Sequence, residues 1–219
     1  MYSFNSAWLR LIPVAFTLVG FGSSVESAFA QTTYSFDTVY DTVVTLTPIT
    51  GTDVSQALVL GVNPNAPYGL TNFKSFNNYS RVDPTTGNLV FVQDASKFGL
   101  SGFPIGGEEF SGNGADKLFG NSTATASFDF LNNVLRGSGT INITGGAGKF
   151  TGALGTINFT EIEPLNSDPT APLRGQAFLK GSFQTPEKVP EPATNTALFA
   201  MGIIGAGLLV KRRYKSILG

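Results

Sequence analysis

Two pairs of carboxylates are the side chains best suited to chemistry: Glu108-Glu109 and Glu161/Glu163. Residues two apart on a strand project to the same face, so Glu161 and Glu163 stand side by side if a strand runs through them. The adjacent Glu108 and Glu109 would point apart. Paired acids perform general acid–base work when their surroundings separate their pKa values, or they bind calcium. Each pair also fits a solvated strand end, Glu161/Glu163 standing just before Pro164, and that solvated role is the expectation for both. The chain has no histidine and no cysteine. Imidazole-based triads, thiol nucleophiles and most metal sites are thereby removed together. The residues assign no catalytic, cofactor-binding or metal-binding side chain, and the chain is not expected to be an enzyme.

A glycine-rich stretch, Gly145-Gly146-Ala147-Gly148-Lys149-Phe150-Thr151-Gly152, invites comparison with a phosphate loop. The Walker pattern needs glycine five positions before the Gly-Lys pair, where Ile143 stands, and Ser or Thr where Phe150 stands. The better reading is a wide hairpin loop in which glycine supplies positive φ and Phe150 tucks under a sheet. Four Asn-x-Ser/Thr triplets begin at Asn78, Asn121, Asn142 and Asn158. They fit Asn- and Thr-rich strands, with Asn142 and Asn158 expected in a hydrogen-bonded ladder.

These residues must be positioned by strands, because the apolar spacing is close to two almost throughout. Tyr34 to Thr47 mixes aromatic, Val and Thr residues without a helical period. Gln56 to Val62 is a short apolar run ending in Asn63-Pro64-Asn65. Asp83-Pro84-Thr85-Thr86-Gly87 is a strong turn signal, and Asn88 to Gln93 reads as the returning strand. From Ser122 the alternation is clearest: Ala124, Ala126, Phe128 and Phe130 share one face, with Thr123, Thr125, Ser127 and Asp129 on the other. Leu131-Asn132-Asn133 connects to a strand from Val134 to Thr144. One phrase occurs twice, as Gly139-Thr140-Ile141-Asn142-Ile143-Thr144 and Gly155-Thr156-Ile157-Asn158-Phe159-Thr160. Its apolar residues share a face in each copy, which fits an antiparallel pair with one dry and one wet side. The expectation is an all-β domain of about eight strands.

Fourteen Lys and Arg face fifteen Asp and Glu in the whole chain. The segment between its two ends is mildly acidic with scattered cations, so it has no electrostatic footprint for nucleic acid. Without cysteine the fold must hold by its core alone.

Both ends differ from this middle. Arg10 precedes an apolar stretch from Leu11 to Phe21, and Ala28-Phe29-Ala30 then offers small residues where a signal peptidase reads them. Residues 1–30 read as a signal peptide cut before Gln31, leaving residues 31–188 as the extracytoplasmic domain. Residues 189–219 hold Val189-Pro190-Glu191-Pro192, an uncharged run from Ala193 to Val210, and the basic cluster Lys211, Arg212, Arg213 and Lys215. As a helix that run spans roughly 27 Å, enough for a bilayer core. The cations belong on the cytoplasmic side.

This tail resembles the PEP-CTERM sorting signal of bacteria: a Pro-Glu-Pro motif, one membrane helix and a terminal basic cluster. The resemblance implies a cell-envelope protein recognised by an exosortase, a membrane-embedded transpeptidase, in a bacterium that also exports polysaccharide. A second resemblance rests on residues 137–160, above all Ile143 to Gly155. It is similar to the strand–loop–strand signature of allene oxide cyclase-like and dirigent-like β-barrels, and implies a small closed antiparallel barrel over a sandwich.

The expected protein is therefore non-catalytic and without cofactor. Its β-barrel domain is held outside the cytoplasmic membrane by a single span, with processing and release to the surface or into exopolysaccharide as a further step. A lipocalin-like carrier of a small apolar molecule is the alternative, and a barrel isomerase or cyclase the third reading.

Overall fold

Alternating burial along extended segments organises the domain. A computed structural model describes residues 29–168 and 171–188. Nine strands form one sheet, and every strand pairing in it is antiparallel: β1 (Phe29–Pro48), β2 (Ser55–Val62), β3 (Asn72–Val82), β4 (Leu89–Val92), β5 (Gly107–Ser111), β6 (Lys117–Asp129), β7 (Val134–Ala147), β8 (Leu154–Pro164) and β9 (Leu173–Lys188). Three short 3-10 turns are the only helical elements among the described residues. None of them is long and apolar enough to cross a membrane. The expected span from Ala193 to Val210 and the signal peptide as far as Ala28 lie outside the described residues; Ala30 and Gln31 are the second and third residues of β1.

The pairings close into a ring. β1 bonds to β2 and β9, β9 to β8, β8 to β7, β7 to β6, and β2 to β3. Between β3 and β6 the ring position is shared: β4 bonds to both at one end and β5 to both at the other. Nine strands thus occupy eight positions, one more strand than the spacing of the sequence predicts. The repeated phrase pairs with itself as expected, Ile141 opposite Ile157 and Gly139 opposite Phe159. The expected ladder between Asn142 and Asn158 does not form. Antiparallel register sets Asn142 opposite Thr156 and Asn158 opposite Thr140, whose hydroxyl donates to the Asn158 side-chain oxygen at 3.0 Å.

One end of the interior is filled by aromatics. Phe36, Tyr40, Phe110, Phe150 and Phe183 are fully buried. Tyr34 stacks on Phe183 with ring centroids 5.0 Å apart, and Phe150 meets the same ring edge-on at 5.2 Å. Phe150 therefore tucks inward as its loop reading requires, while Lys149 pairs with Asp116 at 3.0 Å. Large inner residues face glycines across the ladders: Phe159 opposite Gly139, Phe183 opposite Gly155, and Ile157 opposite Gly181. A side chain at Gly155 would lie 2.3 Å from the Ser182 carbonyl oxygen, so only glycine admits this approach.

The shared face predicted for Ala124, Ala126, Phe128 and Phe130 holds only in part. Ala126 is buried, but Phe128 and Phe130 are exposed, the latter at 79%. β6 ends at Asp129, so these rings stack on each other at 5.6 Å at the hairpin tip rather than on the core.

Candidate functional site

The other end of the interior is polar where the sequence predicts solvent. On β8 the inward positions run Ile157, Phe159, Glu161, Glu163, a single parity through the whole strand. Glu161 and Glu163 do share a face, but it is the inner one. Glu163 is 2% exposed, and Glu161 is partly buried beside it. The solvated reading is overturned because the strand stays paired with β7 as far as Pro164 and with β9 as far as Ile162, and Glu163 on it is buried. Small neighbours leave room for the acids. Gly137 and Ala177 flank Glu161 in register, and a side chain at Gly175 would come within 2.9 Å of the Glu163 Cγ.

β5 supplies the third carboxyl. Glu108 and Glu109 point apart as expected, and their fates differ. Glu109 pairs at the surface with Lys117 at 2.8 Å, whereas Glu108 is 3% exposed. Glu108 sits where β4 stops and β5 begins. Its Oε1 accepts from Ser75 Oγ at 2.8 Å, Gln93 Nε2 at 3.0 Å and Ser122 Oγ at 2.5 Å. Asn78 in turn donates to the Ser75 hydroxyl. None of these four partners was identified as functional by sequence reasoning.

A bulge in β3 brings two of them together. The register against β2 slips between Ala57 and Val59, and Asn77 takes a positive φ of 51°. Before the slip Phe73 and Ser75 are buried; after it Asn78 and Ser80 are. One extra residue re-phases the alternation and turns Ser75 and Asn78 toward the same carboxyl. Gly106 packs against this bulge so closely that a Cβ there would lie 2.4 Å from the Asn77 carbonyl oxygen.

The three acids with Ser75, Asn78 and Ser122 line a pocket with Phe73, Phe91, Leu135, Ile141, Phe159 and Leu179 around it. The cavity is about 50 Å³, against the roughly 10–15 Å³ that one water needs. Burial pushes all three carboxyls up, Glu108 and Glu161 to about 7 and Glu163 to about 8. At Glu108 the donated hydroxyls oppose that rise, and at Glu163 the neighbouring Glu161 charge adds to it. Two oxygens, Glu108 Oε2 and Glu163 Oε1, have no partner among the described residues. Such a site can hold protons near neutral pH, or accept hydrogen bonds from a guest. Among the described residues no group of three acids gathers tightly enough to hold a metal ion.

The sorting residues lie outside the described residues, and sequence comparison addresses them instead. Residues 188–213 match the family model of the PEP-CTERM protein-sorting motif. The match includes Val189, Pro190, Glu191, Pro192, Lys211, Arg212 and Arg213, and stops two residues short of Lys215. The chain carries this motif, which implies an exported protein processed by an exosortase and sorted at the cell envelope. No curated protein and no solved structure matches the chain.

Proposed function

We propose that this exosortase-sorted protein delivers a small, non-catalytic β-barrel to the cell envelope, and that the barrel binds a small molecule in its interior. Anchoring is by the single C-terminal span, with cleavage there releasing the domain to the surface or into exopolysaccharide. One observation carries the binding reading: three carboxyls line one largely apolar pocket, two of them with an oxygen left unpartnered. A domain serving only as matrix filler has no use for buried acids, which cost stability without partners. The aromatic end of the interior is packed solid, so the guest is small and lies at the carboxyl end.

Catalysis is the less supported reading. Ser75 and Ser122 are the hydroxyls nearest a carboxyl, but both donate to Glu108, and no histidine exists to activate them. An isomerase would need only a carboxyl as acid or base, and the raised pKa values favour that reading to this extent.

Native mass spectrometry of protein extracted from the envelope tests both parts at once. The expected species has lost residues 1–30, is cut near Val189–Pro192, and carries a small additional mass. Recovery of the full unprocessed chain contradicts the sorting reading. A processed domain that never carries a guest favours a purely structural role.

A further inference from the structure

The pocket's polar groups are one-sided. Its lining holds Glu108, Glu161 and Glu163 and neither Lys nor Arg. The Ser75 and Ser122 hydroxyls and the Gln93 amide all donate to one atom, Oε1 of Glu108. The acceptors Glu108 Oε2 and Glu163 Oε1 are left over, on side chains 3% and 2% exposed. What the site lacks is a hydrogen-bond donor with positive charge.

A metal ion would answer the charge but not the geometry, since the acids do not gather around a point. An ammonium group is held by as few as two acceptors and does not need the closed shell of oxygens that a metal ion takes. Attached to a hydrocarbon body, it would also use the aromatic and aliphatic lining. We propose that the pocket binds a small primary amine in its protonated form, the ammonium donating to the unpartnered oxygens of Glu108 and Glu163 beside Glu161, and its short alkyl body lying against the aromatic lining. This rests on the ligand-binding reading above and names the chemical class of the guest.

Uptake is coupled to protons. The titratable groups facing the pocket are Glu108 from β5 and Glu161 and Glu163 from β8; β1, β2, β3, β4, β6, β7 and β9 contribute none to the lining. A bound cation favours the ionised carboxyls, so protons leave as the amine enters.

The test uses the full chain in detergent, titrated calorimetrically at pH 7.5 with ethylamine, small enough for a cavity of about 50 Å³, and with ethanol, its uncharged counterpart. Ethylamine is expected to fill one site at least tenfold more tightly than the alcohol, with a heat that changes between buffers of different protonation enthalpy. Glu161→Gln and Glu163→Gln should each weaken the amine at least tenfold and narrow its advantage over the alcohol. Equal affinity for the two compounds overturns the amine assignment but leaves a ligand pocket standing. Binding of neither overturns both. Should a variant fail to fold, the comparison of amine and alcohol on the natural chain decides alone.

Discussion

Glu108, Glu161 and Glu163 set how this domain responds to pH. A carboxyl whose folded pKa is raised binds its proton more readily folded than unfolded. Its contribution is complete below the ordinary carboxyl range and is lost as pH rises through the folded value. The values of about 7 and 8 place that loss between pH 5 and 9. Asp83, Asp94, Asp116 and Asp129 act the other way. Local hydrogen bonds hold their carboxyls below the ordinary 3.8, so their contribution is lost as pH falls beneath it. Stability is therefore expected to peak between about pH 4 and 5. By scanning calorimetry Tm should drop by at least about 10 °C from pH 5 to pH 9. Glu163→Gln should flatten that slope, and a natural chain whose Tm rises over the same window contradicts the burial argument. Parity was the legible signal at this scale: Glu161 and Glu163 share odd numbering with Ile157 and Phe159. That β8 stays in the sheet so far along depends on pairing with β9, which the local sequence does not announce.

Strands differ in how plainly their sequences declare them. β2 and β4 lie within a residue of their expected bounds, whereas β1, β6, β7 and β8 were expected but each runs three to five residues beyond the stretch the sequence marks. β3 was not expected, because the bulge at Asn77 shifts its inward positions from odd to even and breaks the period. β5 has only five residues, two of them glutamates, and pairs in the gap left by β4. On these strands Glu108 was singled out but its partners Ser75 and Asn78 were not, while the half of the site on β8 was half-read. Glycines at inner positions are the sequence's concession to tight curvature. Gly155→Ala, which would press on the β9 backbone, should cost more than about 2 kcal/mol. Gly145→Ala, with open space around it, should stay within about 0.5 kcal/mol. Urea midpoints of the two variants measure the contrast, and equal values would remove the packing explanation.

For the molecule as a whole, every described strand pairing lies between Phe29 and Lys188, and the matched sorting motif begins at residue 188. Folding and sorting are thus separable along the chain. A chain ending at Lys188 should melt within about 2 °C of the full one, yet lose its hold on the envelope in a fractionation assay. Retention there by the truncated form would contradict the tail's role. β9 is hydrogen-bonded to β1 on one flank and to β8 on the other, and its last residue leads directly into the tail. Under the tethering proposed above, drag on the domain would run lengthwise down β9 and load both ladders in parallel, so the rungs would share the force instead of opening one after another. The fold would then act as a mechanical clamp at the junction with the tail.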